Sequence, residues 1–299
     1  MDPQLRFTGA RDVLRHAIAR RAFPAAVVEV GDATTPRWRE AFGRLTFDAD
    51  APSTAHDTIF DLASLTKVLS TTPLAMQQVE RGAMALDDPV ARYLDTWRGD
   101  DRAAVTVRDL LTHASGLPAW LPFFREHRGR KAFERAIAAT ALEYPPRSQS
   151  VYSDLGFMLL GFMLEGELPL AERFTTMVAQ MGIVQEVQFN PPTLWQRRMA
   201  PTELDAWRGR LLVGDVHDEN AHALGGAAGH AGLFGTAAAV GDYARHLLQV
   251  LDGRSGAFRR ETLETFIARD SRVPASSRAL GWDTMLPTSS CGTRMSPRA

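Results

Sequence analysis

The amino-acid sequence predicts an α/β fold in two parts: an antiparallel sheet flanked by helices from both chain ends, and a mainly helical part between them. Three observations lead to this prediction. A β-branched run near the start is followed by a turn and a second strand-like stretch, the middle of the chain has helical patterns, and the last third holds a glycine-rich turn before a helix. We place the α/β part at residues 1–68 and 230–299, and the helical part with its long loops at 69–229.

The first 47 residues predict a helix and a β-hairpin. Residues 12–21 carry apolar side chains at helical spacing, and the pattern stops before Pro24. Residues 25–31 and 37–47 have strand character and are separated by a short turn that ends at Pro36. Two strands joined so closely are expected to pair as a hairpin.

The middle and the end of the chain are punctuated by helix start and stop signals. A helix is expected from Ser64, with a bend at Pro73 and an end at Gly82, since a missing Cβ suits a left-handed cap. Thr106 and Asp109 have the spacing of a capping box. The remaining predictions are helices over 131–142, 155–165 and 237–251, long loops with short helices over 167–229, and a late strand over 280–285.

Composition limits the class of partner. The chain has 299 residues, 45% of them hydrophobic and 23% charged, and its net charge is -1, so it offers no basic field to nucleic acid or anionic lipid. The start lacks a signal-peptide core, and no segment reaches the roughly 18 uninterrupted apolar residues of a membrane helix. A small-molecule or short-peptide substrate, a cytoplasmic location and no membrane partner are therefore expected. The lone Cys291 excludes an internal disulfide framework, and nothing indicates an oligomeric state.

The arrangement of Ser64 and Lys67 is the main chemical signal. Only two of the 34 basic residues are lysines, and one of them stands three positions after a serine. That spacing puts both side chains on one face at a helix start. A lysine amine that has lost its charge through burial and the helix dipole could take the serine proton, which arginine cannot do. Ser64 is thus a candidate nucleophile, Lys67 its candidate base, and the Ser64 backbone amide a candidate oxyanion donor.

Three motifs together resemble a known family. Ser64 to Lys67, the segment 110–118 and the triplet 152–154 are similar to motifs of serine hydrolases in the class C β-lactamase and penicillin-binding-protein superfamily, which includes esterases and D-amino-acid peptidases. The resemblance covers nearly the whole chain. It implies a β-lactamase/transpeptidase-like fold and hydrolysis of an ester or amide, such as a β-lactam or a D-amino-acid peptide, through an acyl-enzyme on Ser64 without a cofactor. It also implies that Tyr152 shares or relays the proton of the lysine.

Asp154 occupies the position of the family's asparagine, which helps to hold the lysine and the substrate. The resemblance therefore implies a substrate-binding role for Asp154. A carboxylate near Lys67 favours the ammonium form and shifts proton abstraction toward Tyr152, which weakens the prediction of β-lactam turnover. Asp154 is also expected to cap the helix that follows it.

The family's third motif, a Lys/His-Thr/Ser-Gly triplet on a strand near the C-terminus, is not found in the sequence. The triplet that starts at His230 resembles the glycine-rich segment before the family's next helix instead. We therefore expect a chain that is truncated at its C-terminus, with an incomplete sheet and little activity.

Two other functions remain open. His217, Asp218 and Glu219, with His222 or His230, contain metal-ligand types and could form a metallohydrolase site, although adjacent residues seldom converge on one ion. A non-hydrolysing penicillin-binding module or a pseudoenzyme is the second alternative. His113 is expected to be a buried, hydrogen-bonded loop residue.

Overall fold

The N-terminal helix and hairpin form as the sequence predicts. The computed structural model describes residues 6–287, 289, 292 and 293. Helix α1 (Thr8–Ala19) leads into strand β1 (Ala25–Gly31) and strand β2 (Pro36–Gly43). The hairpin pairs are antiparallel, from Ala25 opposite Gly43 to Val30 opposite Trp38. The predicted second strand extends four residues too far, because Gly43 has a left-handed φ of 78° and turns the chain out of the sheet.

The other strands are short and antiparallel. Strands β3 (Phe60–Asp61), β4 (Val187–Phe189) and β7 (Leu233–Gly235) form a sheet in the order β3-β7-β4. Strands β5 (Leu204–Asp205) and β6 (Arg210–Leu211) form a separate small hairpin. The antiparallel pairing is the predicted one. In the described residues it is divided among three sheets that share no strand.

The helices of the rest of the chain surround the larger of two apolar clusters. They are α2 (Thr72–Glu80), α3 (Val107–Leu111), α4 (Gly129–Ala139), α5 (Asp154–Glu165), α6 (Leu170–Gln180), α7 (Glu219–Ala223), α8 (Ala237–Leu251) and α9 (Arg260–Ile267). Short 3₁₀ turns lie at Val90–Arg92, Phe123–Arg125 and Thr193–Arg198. Among the described residues, none of these helices combines the length and apolar character needed to cross a bilayer.

Several local predictions are confirmed and others are wrong. Helix α8 has the predicted bounds, the capping box of Thr106 and Asp109 is formed, and Gly82 adopts a left-handed φ of 69°. The predicted late strand is wrong, because the chain there makes a tight turn closed by a bridge between Arg278 and Asp283. Residues 167–229 were expected to hold long loops with short helices, yet α6 is a regular helix of 11 residues and the stretch also contains strands β4, β5 and β6.

The bend expected at Pro73 takes the form of a π-helical turn. Residues Lys67–Thr71 are π-helical and pass directly into α2, where Pro73 lies in the first turn. Proline has no N–H to donate to the preceding turn, and π-helical turns occur frequently at functional sites. The turn begins at Lys67, so the irregularity lies beside the candidate catalytic residues.

Helix α5 is the central element of the core. Nine of its twelve residues are buried, as expected for a helix that is apolar on all sides. On one side it contacts the glycine-rich segment before β7, since a Cβ placed on Gly161 would lie 2.9 Å from the Gly229 nitrogen. Two glycines therefore let a helix and a loop meet backbone to backbone.

The division of the chain into two parts, at 68/69 and 229/230, remains a prediction.

Candidate active site

Ser64 lies at the end of a tight turn after strand β3. The carboxylate of Asp61 accepts hydrogen bonds from the backbone N–H of Ala63 at 2.8 Å and from that of His217 at 2.7 Å. Burial raises the pKa of Asp61, and the two N–H donors oppose this effect. Ala63 has a left-handed φ of 45°, which presents the exposed Ser64 at the start of the helical segment. The sequence prediction of a serine at a helix N-terminus is confirmed.

The Lys67 amine is buried and has three hydrogen-bond acceptors. Its side chain is 3% exposed. The Nζ atom lies 3.0 Å from Ser64 Oγ, 2.7 Å from Asp154 Oδ1 and 3.1 Å from the backbone oxygen of His230. Three acceptors match the three N–H groups of an ammonium. The structure therefore brings Ser64, Lys67 and Asp154 together, as predicted, and adds a main-chain carbonyl.

Strand pairing explains why these distant segments meet. Asp61 in β3 is paired with Phe234 in β7, so the chain entering β7 runs beside the turn that carries Ser64. Leu233 extends this contact, because its nitrogen donates to Thr66 Oγ1 at 3.1 Å. The His230 carbonyl is thereby placed against the Lys67 amine.

Asp154 reaches the lysine from the first turn of α5. The predicted capping role of Asp154 is wrong, since the cap is Ser153, whose Oγ accepts from the Gly156 nitrogen at 3.3 Å. The Ser153 hydroxyl in turn donates to the Pro118 oxygen at 2.6 Å. Because the neighbouring serine satisfies the helix end, the Asp154 carboxylate is free to bind Lys67.

Tyr152 contacts the amine through its ring. Its centroid lies 4.7 Å from Lys67 Nζ, and the Phe157 ring lies 5.7 Å from the same atom. The guanidinium carbon of Arg278 lies 5.3 Å from the centroid of the Tyr152 ring. Tyr152 is 38% exposed. Within the described residues, the Tyr152 hydroxyl makes no hydrogen bond to Lys67 or Ser64. Its role in proton relay therefore stays a prediction.

His113 is a buried loop residue, as predicted. Its Nδ1 accepts a hydrogen bond from the Ser153 nitrogen at 3.0 Å, and its ring packs 4.6 Å from that of Tyr152. Burial, together with the positive charges of Arg278 and Lys67, lowers the pKa of His113 well below its usual value. His113 is therefore a neutral support for Tyr152 and for the start of α5.

His217 and Asp218 of the metallohydrolase alternative have different partners. His217 Nε2 lies 3.0 Å from Glu203 Oε1, whereas Asp218 Oδ1 lies 2.8 Å from His230 Nε2 and caps α7. In the part of the chain that the structure describes, no group of three or more His, Cys, Asp or Glu side chains is arranged to hold a metal ion. The geometry thus gives the metal alternative no support. The sequence motifs do not indicate the His230 carbonyl, because a backbone contact depends on no particular residue type.

Solved structures with the same fold confirm the predicted fold class. A class C β-lactamase from Rhodobacter sphaeroides superposes with a TM-score of 0.68 at 23% identity, covering 86% of this chain and 69% of that one. A penicillin-binding protein homologue from Pyrococcus abyssi gives a TM-score of 0.71 at 22% identity, covering 94% of this chain and 64% of that one. EstCE1, described as a hydrolase with promiscuous acyltransferase activity, gives a TM-score of 0.68 at 23% identity, covering 92% of this chain and 80% of that one. The fold is β-lactamase/transpeptidase-like.

Sequence comparisons identify the family. The chain is 31% identical over 285 residues to an Escherichia coli K12 protein named "Putative D-alanyl-D-alanine carboxypeptidase", with 81% of this chain and 63% of the relative covered. A Salmonella gallinarum protein of the same name is 33% identical over 211 residues, which cover 60% of this chain and 48% of the relative. The chain thus spans from about half to less than two thirds of these relatives. The Beta-lactamase family model matches residues 10–295. The chain therefore belongs to the Beta-lactamase family, the family of hydrolases that its sequence motifs predict.

Proposed function

We propose that this chain hydrolyses an ester or amide through an acyl-enzyme on Ser64, with Lys67 as the proton acceptor. The observation that carries the proposal is the environment of Lys67 Nζ, which is buried 3.0 Å from the Ser64 hydroxyl. The Beta-lactamase family match supports the same reaction class.

The three partners of the amine determine where a proton can move. The Asp154 carboxylate and the His230 carbonyl only accept hydrogen bonds, so each holds one N–H of Lys67. The third position faces Ser64 Oγ. In the ammonium this position donates to the hydroxyl oxygen, and in the neutral amine the lone pair faces the hydroxyl hydrogen. Of the three partners, only Ser64 can therefore give its proton to the amine.

This geometry supports a balanced two-step reaction. Ser64 Oγ attacks the substrate carbonyl carbon while its proton passes to the Lys67 amine, and the resulting ammonium returns that proton to the leaving alcohol or amine. Water then attacks the acyl ester, and Ser64 regains its hydroxyl. In the described residues no acceptor takes the backbone N–H of Ser64, which leaves it available to the oxyanion.

The substrate class follows from the relatives and from the site. Peptides that end in D-alanyl-D-alanine come first, because the curated relatives carry that name. Small esters come second, in view of EstCE1. Both are small molecules or short peptides that need no metal or cofactor in this scheme.

A fluorophosphonate probe tests the proposal, because it reacts with an activated serine irrespective of the natural acyl group. We expect labelling that Ser64→Ala abolishes. Lys67→Arg keeps the positive charge but cannot accept a proton, so it should slow labelling by at least about 10²-fold. Lys131→Arg is the matched control, since it changes the chain's other lysine, which is exposed, and should leave the rate unchanged.

The outcomes separate the competing functions. Labelling of Lys67→Arg at the wild-type rate would contradict the proposal. Loss of hydrolysis in chelator would favour the metal alternative. Stoichiometric labelling by a fluorescent penicillin without hydrolysis of esters or of D-alanyl-D-alanine peptides would favour the non-hydrolysing module.

A further inference from the structure

The segment 216–218 is held rigidly beside the turn that carries Ser64. The Arg208 side chain, which is 6% exposed, donates to the carbonyls of Val216 at 2.6 Å and His217 at 2.7 Å. The nitrogen of His217 donates to Asp61, the residue that organises the Ser64 turn. The backbone that precedes Asp218 is thus held by hydrogen bonds from two sides.

Asp218 is the last residue of this segment, and its carboxylate contacts His230. Its Oδ1 lies 2.8 Å from His230 Nε2 and accepts from the Ala221 nitrogen at 2.7 Å. Burial raises the pKa of Asp218, but attraction to His230 and the two hydrogen bonds outweigh burial and lower it to about 2. The group is therefore a carboxylate at neutral pH. Because a carboxylate only accepts, Nε2 of His230 carries the hydrogen between them.

His230 has Asp218 as the polar anchor of its ring. The residue is 1% exposed, and Nδ1 is buried without a hydrogen-bond partner in the described part of the chain. Its neighbour Gly229 has no side chain to fix the backbone, and Gly232 adopts a φ of 119°. The main-chain oxygen of His230 nevertheless has to lie 3.1 Å from Lys67 Nζ.

We propose that Asp218 and His230 are positioning residues that hold the His230 carbonyl against the Lys67 amine. This inference rests on the proposed function of Ser64 and Lys67. The imidazole anchors a glycine-flanked backbone through one hydrogen bond to Asp218. The carbonyl then takes one N–H of the lysine, which directs the remaining position of the nitrogen at the Ser64 hydroxyl.

Paired substitutions of His230 give the direct test. His230→Ala removes the anchor and should lower the maximal rate of Ser64 labelling by fluorophosphonate by roughly 10- to 100-fold, since a displacement of about 1 Å can cost about 10²-fold. Glutamine can place an N–H close to the position of Nε2, so His230→Gln should recover most of the rate. Probe affinity should change little in both variants, because neither side chain contacts the nucleophile.

Asp218→Ala tests whether the pair acts as one unit. Alone it should slow labelling about as much as His230→Ala, and the double variant should be no slower than the worse single one. In the Asp218→Ala background, His230→Gln should no longer rescue the rate. His217→Ala is the matched control, because its half-exposed side chain contacts Glu203 and should leave labelling unchanged.

The outcomes distinguish this inference from the proposed function. If Ser64→Ala abolishes labelling but His230→Ala and Asp218→Ala label at the wild-type rate, the positioning role is wrong and the hydrolase proposal stands. If labelling persists in Ser64→Ala, the hydrolase proposal itself fails. Thermal unfolding is followed for every variant, and rate losses that match only the loss of folded protein, equal for alanine and glutamine, would also overturn the inference.

Discussion

The surroundings of Lys67 combine burial with polar and aromatic contacts. The sequence predicts a lysine that burial has stripped of its charge, and the side chain is indeed buried. Its neighbours are a carboxylate, a carbonyl and the faces of two aromatic rings. These contacts fix the position of the nitrogen, which accepts the Ser64 proton when the amine is neutral. Asp154 supplies the carboxylate at the position where the resemblance to the family motif implies an asparagine.

The low pKa of Asp218 makes a prediction about acid stability. A carboxylate whose pKa in the folded protein lies below its unfolded value stabilises the fold above the unfolded pKa of about 4, and this contribution is lost as pH falls toward 2. We expect Asp218→Asn to lower the free energy of unfolding by about 2 kcal/mol at pH 6. The difference from wild type should shrink steadily between pH 4 and pH 2. Urea unfolding at several pH values measures it, and a difference that is independent of pH would contradict the assigned ionisation.

Helices were predictable where local signals decide their ends. The capping box at Thr106 and the bounds of α8 follow from cap and stop residues alone. The sequence could not show that Ser153 rather than Asp154 caps α5, because both residue types are good caps. The choice depends on tertiary contacts: Ser153 binds the Pro118 carbonyl, and Asp154 binds Lys67. Helix α6 was not predicted, because the stretch 167–229 was interpreted as proline-rich loops, although Pro169 is the N-cap of this helix.

Two glycines of α5 should respond in opposite ways to the same substitution. A Cβ on Gly156 would meet Leu110 at an ordinary 3.7 Å, so Gly156→Ala should stabilise the protein by about 0.5 kcal/mol through helix propensity. A Cβ on Gly161 would lie 2.9 Å from the Gly229 nitrogen, where neither backbone can easily yield. Gly161→Ala should therefore destabilise the protein by about 1–3 kcal/mol and slow Ser64 labelling, since Gly229 precedes His230.

Chemical denaturation and the fluorophosphonate rate check this pair together. Gly156→Ala controls for the general effect of alanine in the helix. Equal stability of the two variants would show that α5 does not need close contact with the glycine-rich segment.

For the molecule as a whole, the motifs predict more than the secondary-structure patterns do. Fold, family and the Ser64–Lys67 contact follow from a few short segments, because those segments carry the chemistry. The contribution of the segment before β7 could not be predicted. It depends on a backbone carbonyl, and the sequence records only the glycines that let the chain approach α5.

Asp109 joins three regions that are far apart in the chain. It is fully buried, completes the capping box with Thr106 and binds Arg147 at 2.9 Å and Arg272 at 3.3 Å. The sequence predicts only the first of these roles. One carboxylate thus connects α3, the loop before α5 and the segment after α9.

Removal of this carboxylate should be the most costly of the changes considered. Asp109→Ala takes the shared acceptor from Arg147, Arg272 and the start of α3, while Arg147 keeps the Ala104 carbonyl and Arg272 keeps Asp270. We expect a loss of about 3 kcal/mol in the free energy of unfolding. The partial exposure of both arginines keeps the loss at the lower end of the range for buried pairs. Asp87→Ala removes the exposed partner of Arg108 and should cost less than about 1 kcal/mol. Urea unfolding compares the two, and similar losses would show that Asp109 does not join the three regions energetically.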